Sequence, residues 1–165
     1  MDQAMFELAE RVGHALKARG AWLATAESCT GGWVAKVLTD VPGSSGWFER
    51  GFVTYTNIAK QEMLGVTEAT LAEHGAVSEA TVAAMAAGAL AHSHADASLA
   101  ISGIAGPGGA TPYKPVGTVW LAWAERGGAA RTRHALFSGD REAVRRQAAL
   151  AALEGVLALV AGDDG

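Results

Sequence analysis

The chain has a single cysteine among its 165 residues, Cys29, so no internal disulfide can form and nothing in it calls for an oxidising compartment. It is also short of positive charge: 13 Lys and Arg face 17 Asp and Glu, a net charge of −4. The only local basic cluster is Arg141, Arg145 and Arg146, too little for the electrostatic footprint of nucleic-acid binding, so the balance points to a small-molecule partner. No apolar run approaches the ~18 to 20 residues of a membrane span. The opening Met1-Asp2-Gln3, followed by Phe6-Glu7, lacks the basic start and apolar core of a secretory leader, and the expectation is a soluble cytoplasmic protein. The five histidines, His14, His74, His92, His94 and His134, fall in no zinc-ligand spacing and pair with no obvious acid, so no metal is expected.

Half of the residues are apolar. A chain of this length buries roughly two thirds of its unfolded surface, enough for a core without staples. Met5, Leu8, Val12 and Leu16 recur at helical spacing and Gly20 stops that helix. Ala21 to Ala24 reads as a buried strand, and Trp33 to Leu38 as helix. A loop dense in turn formers, Asp40 to Gly46, leads into a second strand at Gly51 to Thr56. Asn57 is a candidate cap for a short helix ending at Gly65, and Ser78 for an Ala-rich helix running to about His92. Further strands are expected at 97–104, 116–123 and 132–137, the last two joined by a hairpin across Arg126-Gly127-Gly128. Asp140 caps a final helix with Leu150, Leu153, Leu157 and Val160 along one stripe. Strands separated by helices imply crossovers, and the late hairpin makes the sheet mixed. The fold expected is therefore α/β, a three-layer α/β/α sandwich with a mixed, mostly parallel five-stranded sheet, in one domain over residues 1–165.

The richest chemistry sits where the first strand ends, in Thr25-Ala26-Glu27-Ser28-Cys29-Thr30-Gly31-Gly32. A turn at the carboxyl end of a strand is where open α/β sheets bind ligands, and backbone N–H groups from Cys29 to Gly32 would face outward at the helix start. Ser28 is a candidate nucleophile or simply a helix N-cap. Lys60, four residues beyond the second strand, would lie near Ser28 if the two strands are parallel neighbours, and burial can lower a lysine pKa enough to make it a base. Its plain alternative is a solvated helix lysine. Tyr55 either assists that lysine or packs. Cys29 is the rival nucleophile, because a thiol at a helix N-terminus gains reactivity. The glycine-rich Ser102 to Gly109 loop allows close backbone approach but lacks the Gly-Lys-Ser/Thr ending of a phosphate loop. Arg141 and Arg145, four apart at a helix start, suit a phosphate or are solvated.

Five ordered segments together, Thr25 to Gly32, Phe48 to Tyr55, Gly75 to Ser78, Ser102 to Pro107 and Lys114 to Trp120, resemble the CinA C-terminal domain family from the first helix to Arg146. Stand-alone members of that family are nicotinamide mononucleotide amidohydrolases. The resemblance implies a serine–lysine pair at Ser28 and Lys60 assisted by Tyr55, with no metal and no cofactor. It also implies backbone donors near Cys29, Thr30 and Gly31, and substrate contacts at Ser102, Gly103, Arg141 and Arg145. The expected partner is nicotinamide mononucleotide, hydrolysed at its carboxamide in pyridine nucleotide recycling, and a homodimer is implied. The nucleotide-pyrophosphatase half of longer relatives is expected to be absent. Two other functions stay open: a cysteine-dependent amidase using Cys29, and a non-catalytic nucleotide-binding regulatory module. Family members often carry an acid after the Gly-Pro, where this chain has Gly108.

Overall fold

A computed structural model describes residues 1–162; the domain boundary read at residue 165 lies outside the described residues. Helix α1 (Gln3–Arg19) starts where the Asp2 carboxylate accepts the Met5 N–H at 3.2 Å, and it stops at Gly20, whose φ of 62° only glycine adopts freely. It leads into β1 (Leu23–Glu27), every residue of which is buried. Then come α2 (Trp33–Asp40), a 3₁₀ turn at Ser44–Gly46 and β2 (Phe48–Val53). The sequence left two or three helices open in the next stretch; three form, α3 (Asn57–Leu64), α4 (Glu68–His74) and α5 (Glu79–Ala91). Asn57 is the first residue of α3, and its cap is Thr56, whose hydroxyl accepts the Ala59 N–H at 3.2 Å. Ser78 caps α5 as its sequence suggests. Strands β3 (Ala97–Gly103), β4 (Thr118–Glu125) and β5 (Arg131–Leu136) precede α6 (Arg141–Ala161), which Asp140 caps.

The five strands of the described residues lie in the order β2-β1-β3-β4-β5. β1 is parallel to both β2 and β3, whereas β4 is antiparallel to β3 and to β5. Four strands therefore run one way and β4 alone is reversed, the mixed α/β/α arrangement expected. Register places Glu27 beside both Val53 and Ile101, so β1 and β2 end level, β3 runs two residues further to Gly103, and the segments leaving all three meet at one edge. The ladder continues one residue further, with Thr54 N–H on the Glu27 carbonyl at 2.8 Å and Ser28 N–H on the Ile101 carbonyl at 3.0 Å.

The two faces of the sheet differ in kind. One carries large side chains, Leu23, Leu99, Ile101, Leu121 and Trp123, packed under α1, α2 and α6. The other is floored by Ala24, Ala26, Ala100, Ala122 and Ala124, which lets the Ala-rich α5 approach closely. Two glycines mark the tightest crossings. A Cβ on Gly88 of α5 would fall on the Leu64 carbonyl at the end of α3, and one on Gly155 of α6 would fall on the Trp123 indole, whose Nε1–H donates to the Ala152 carbonyl at 2.9 Å.

One buried acid joins strand to helix. The Glu27 carboxylate, on a residue only 1% exposed, accepts the Thr30 hydroxyl at 2.6 Å and the N–H groups of Val34 at 2.9 Å and Ala35 at 3.0 Å. Gly32, in the N-cap position of α2, has no side chain to do this, so a glutamate from the preceding strand does it instead. No helix among the described residues is long and apolar enough to cross a membrane.

Three substitutions test this packing by urea unfolding. Gly88→Ala and Gly155→Ala should each cost about 1–3 kcal/mol by overpacking. Gly88→Ala should also disturb the edge that α3 supplies, whereas Gly155→Ala, on the opposite face, should not. Glu27→Gln should cost about 1–3 kcal/mol, because its amide turns a donor toward groups that are themselves donors.

Candidate active site

Ser28 begins the turn between β1 and α2. Its N–H is fixed by the sheet and its carbonyl accepts the Gly31 N–H at 3.0 Å. Gly31 and Gly32 follow at φ of 60° and 100°, a consecutive left-handed pair that only glycine adopts without strain. With Glu27 capping α2, the Ser28 hydroxyl is released from that task. It lies instead 2.9 Å from the Lys60 ammonium nitrogen.

Lys60 is in the first turn of α3, brought back over the sheet edge because α3 starts at Asn57 on its Thr56 cap, just past β2. The residue is 1% exposed, and its Nζ also lies 2.8 Å from the Thr54 carbonyl and 3.3 Å from the Tyr55 carbonyl. Among the described residues it forms no ion pair. Burial without a countercharge disfavours the ammonium and pulls its pKa down from 10.5 to about 8. A neutral amine has two N–H bonds and one lone pair. The two carbonyls match the N–H bonds, and the lone pair is left for the Ser28 hydroxyl proton.

Tyr55 faces the lysine through its carbonyl, while its phenol is exposed and accepts from Arg141 Nη2 at 3.0 Å. Arg141 Nη1 donates to the Gly106 carbonyl at 2.7 Å, so this arginine spans the mouth of the site from Tyr55 to the glycine-rich loop. Ser28, Cys29, Lys60, Ser102, Gly103 and Arg141 line a cleft of about 270 Å³, close to the lower end of small-molecule sites. Ala76, Val77 and the glycines of the 106–109 loop complete it. Ala76 and Val77 carry no reactive group, so their place in the wall has no signal in residue type, and the Ser78 hydroxyl next to them is committed to the Gly75 carbonyl and the Thr81 N–H.

Cys29 is 6% exposed, with Sγ packed toward Gly103, where a Cβ would stand 3.2 Å from it. Burial, reinforced by the Glu27 carboxylate, pushes its thiol up to about 12, so it stays protonated at neutral pH and is a poor nucleophile. Thr30 is fully buried, its hydroxyl committed to Glu27. The outward fan of N–H groups expected from the sequence is narrower than its residues suggest. Gly31 donates to Ser28, Trp33 to Thr30, and Val34 and Ala35 to Glu27; among the described residues the Cys29, Thr30 and Gly32 N–H groups have no acceptor from another residue. Arg145, read beside Arg141 from its spacing, is outside the cleft lining and donates to the carbonyls of Cys29 and Thr30. Among the described residues no cluster of three or more His, Cys, Asp or Glu side chains is placed to hold a metal ion.

Known proteins share this sequence and fold. The CinA C-terminal domain description matches residues 5–160. Nicotinamide-nucleotide amidohydrolase PncC of Escherichia coli (strain K12) is 63% identical over 153 residues, covering 93% of each chain. PncC of Pseudomonas putida is 53% identical over 152 residues, 92% of this chain and 94% of that one. The crystal structure of competence/damage inducible protein CihA from Agrobacterium tumefaciens matches with a TM-score of 0.92 at 46% identity, over 94% of each chain. Matched over nearly its whole length in sequence and in fold, the chain belongs to the CinA C-terminal domain family.

Proposed function

We propose that this chain is an amidohydrolase that cleaves the carboxamide of nicotinamide mononucleotide, giving nicotinic acid mononucleotide and ammonia. The observation that carries the reading is the 2.9 Å approach of Ser28 Oγ to a lysine buried without a countercharge. The names of relatives more than half identical over nine tenths of the chain supply the substrate class.

Neutral Lys60 accepts the Ser28 proton as Oγ attacks the amide carbon, and the charge gathering on the amide oxygen is met by the Cys29 and Thr30 N–H groups. Lys60, now an ammonium, keeps two hydrogens on the Thr54 and Tyr55 carbonyls and turns the third to the departing nitrogen. The C–N bond breaks, ammonia leaves, and an acyl ester remains on Ser28. Water attacks that ester as Lys60 takes its proton, the acyl C–Oγ bond breaks to release nicotinic acid mononucleotide, and Lys60 returns the proton to Oγ, restoring the serine hydroxyl and the neutral amine. Arg141, whose guanidinium borders the cleft, keeps donors beyond those given to Tyr55 and Gly106 and meets the 5′-phosphate. The buried thiol at about 12 weighs against a cysteine nucleophile, and the intact pair weighs against a silent binding module.

Ammonia release from the mononucleotide tests the pair. Ser28→Ala and Lys60→Ala should each lose at least about 10³-fold in kcat, whereas Cys29→Ala should stay within about tenfold of the parent. Full turnover in either of the first two overturns the mechanism. Because the ammonium cannot accept a proton, kcat/KM should fall as pH drops below about 8 and level off above it. Lys60→Arg, protonated at every accessible pH, should be inactive throughout.

A further inference from the structure

Spacing pairs Arg145 with Arg141, one turn apart on the same helix, yet the fold gives them different surroundings. Arg141 borders the cleft. Arg145 turns to the back of the Ser28 turn, its Nε–H donating to the Cys29 carbonyl at 3.0 Å and its Nη2 to the Thr30 carbonyl at 3.3 Å. Its guanidinium carbon lies 5.8 Å from the centre of the Trp33 ring, a cation–π contact that holds the side chain away from the substrate. A Cβ at Gly31 would come within 3.3 Å of Nη2, so the turn and the guanidinium are fitted to each other.

We propose that Arg145 is a positioning residue for the oxyanion site, acting through two peptide planes and touching no substrate atom. This rests on the acyl-serine reading above. In a trans peptide the C=O and N–H point in opposite directions. Anchoring the Cys29 carbonyl on Arg145 therefore aims the Thr30 N–H away from the guanidinium. The Gly31 bond to the Ser28 carbonyl aims the Cys29 N–H in the same manner. Among the described residues these two N–H groups, together with that of Gly32 further on at the α2 cap, are the ones in the turn that have no acceptor from another residue. A full positive charge on the carbonyl end polarises the peptide and makes its N–H a stronger donor. An anion gripped by Arg145 would have to compete with the carbonyls that shape the turn, whereas a brace leaves them in place.

Arg145→Ala and Arg145→Lys separate the brace from a phosphate grip. The readouts are kcat and KM for ammonia release from nicotinamide mononucleotide, circular dichroism, and inhibition by pyridine-3-boronic acid, which forms a tetrahedral anion on a serine hydroxyl. Arg145→Ala should lower kcat on the order of 10–100-fold with KM kept within about threefold, and boronate affinity should fall by a similar factor to kcat. Arg145→Lys, retaining a charge that reaches one carbonyl, should recover part of both losses. The pH inflection near 8 should stay in place, since Lys60 is not touched. A raised KM with kcat preserved, a lower kcat with boronate affinity unchanged, no change at all, or losses that track the unfolded fraction in both variants would each overturn the brace. Should the parent release no ammonia from the mononucleotide, the proposed substrate fails, and the boronate comparison still judges the brace.

Discussion

The Glu27 carboxylate closes the first turn of α2 from inside the protein, with three donors around it and water excluded. Helices in this fold otherwise begin on the side chain of the residue before them, as α3 does on Thr56 and α6 on Asp140. Had α2 followed that pattern, a hydroxyl of the turn would have been consumed as a cap. Assigning the cap to the strand leaves Ser28 with an uncommitted hydroxyl at the sheet edge. It also lets Gly31 and Gly32 supply the sharp reversal that a side-chain cap would have obstructed.

The lysine arrives by a separate route, through the parallel pairing of β1 and β2. Parallel neighbours bring their carboxyl ends to the same edge, so the segment leaving β2 passes over the one leaving β1. The alanine floor beneath α5 permits the close layer on that side, and α3 is drawn in against α5 at Gly88. Burial of Lys60 follows from this packing, and its lowered pKa follows from burial. The chemistry at the edge is a product of the small-residue face as much as of the reactive residues themselves.

Some of this is visible in the sequence. Ser78 and Asp140 announce their helices because a cap is a local interaction, and the apolar runs of β1 and β3 reflect strands buried on both faces. Ser28 and Lys60 can be nominated from position, although only the strand pairing brings them together. What cannot be read is whatever is carried by backbone or by long-range geometry. The Thr54 carbonyl that holds Lys60 would look the same with any residue there. Glu27 looks like a strand-end acid until α2 folds onto it. Arg141 and Arg145 share a spacing but diverge once α6 docks, because one turn of helix separates the cleft from the rear of the Ser28 turn. Asn57 and Thr56 are both good caps, and their order along the chain decides between them only after β2 has ended.

Burying Lys60 also ties the stability of the fold to proton concentration. The unfolded chain holds this proton up to a pKa near 10.5, whereas the folded chain releases it near 8. Between those values the unfolded state binds more protons, so each step upward in pH shifts the equilibrium toward the native state. Below them the native protein must shelter an ammonium that would be better hydrated outside. The same deprotonation that arms the site therefore relaxes the fold, and alkaline conditions favour both together.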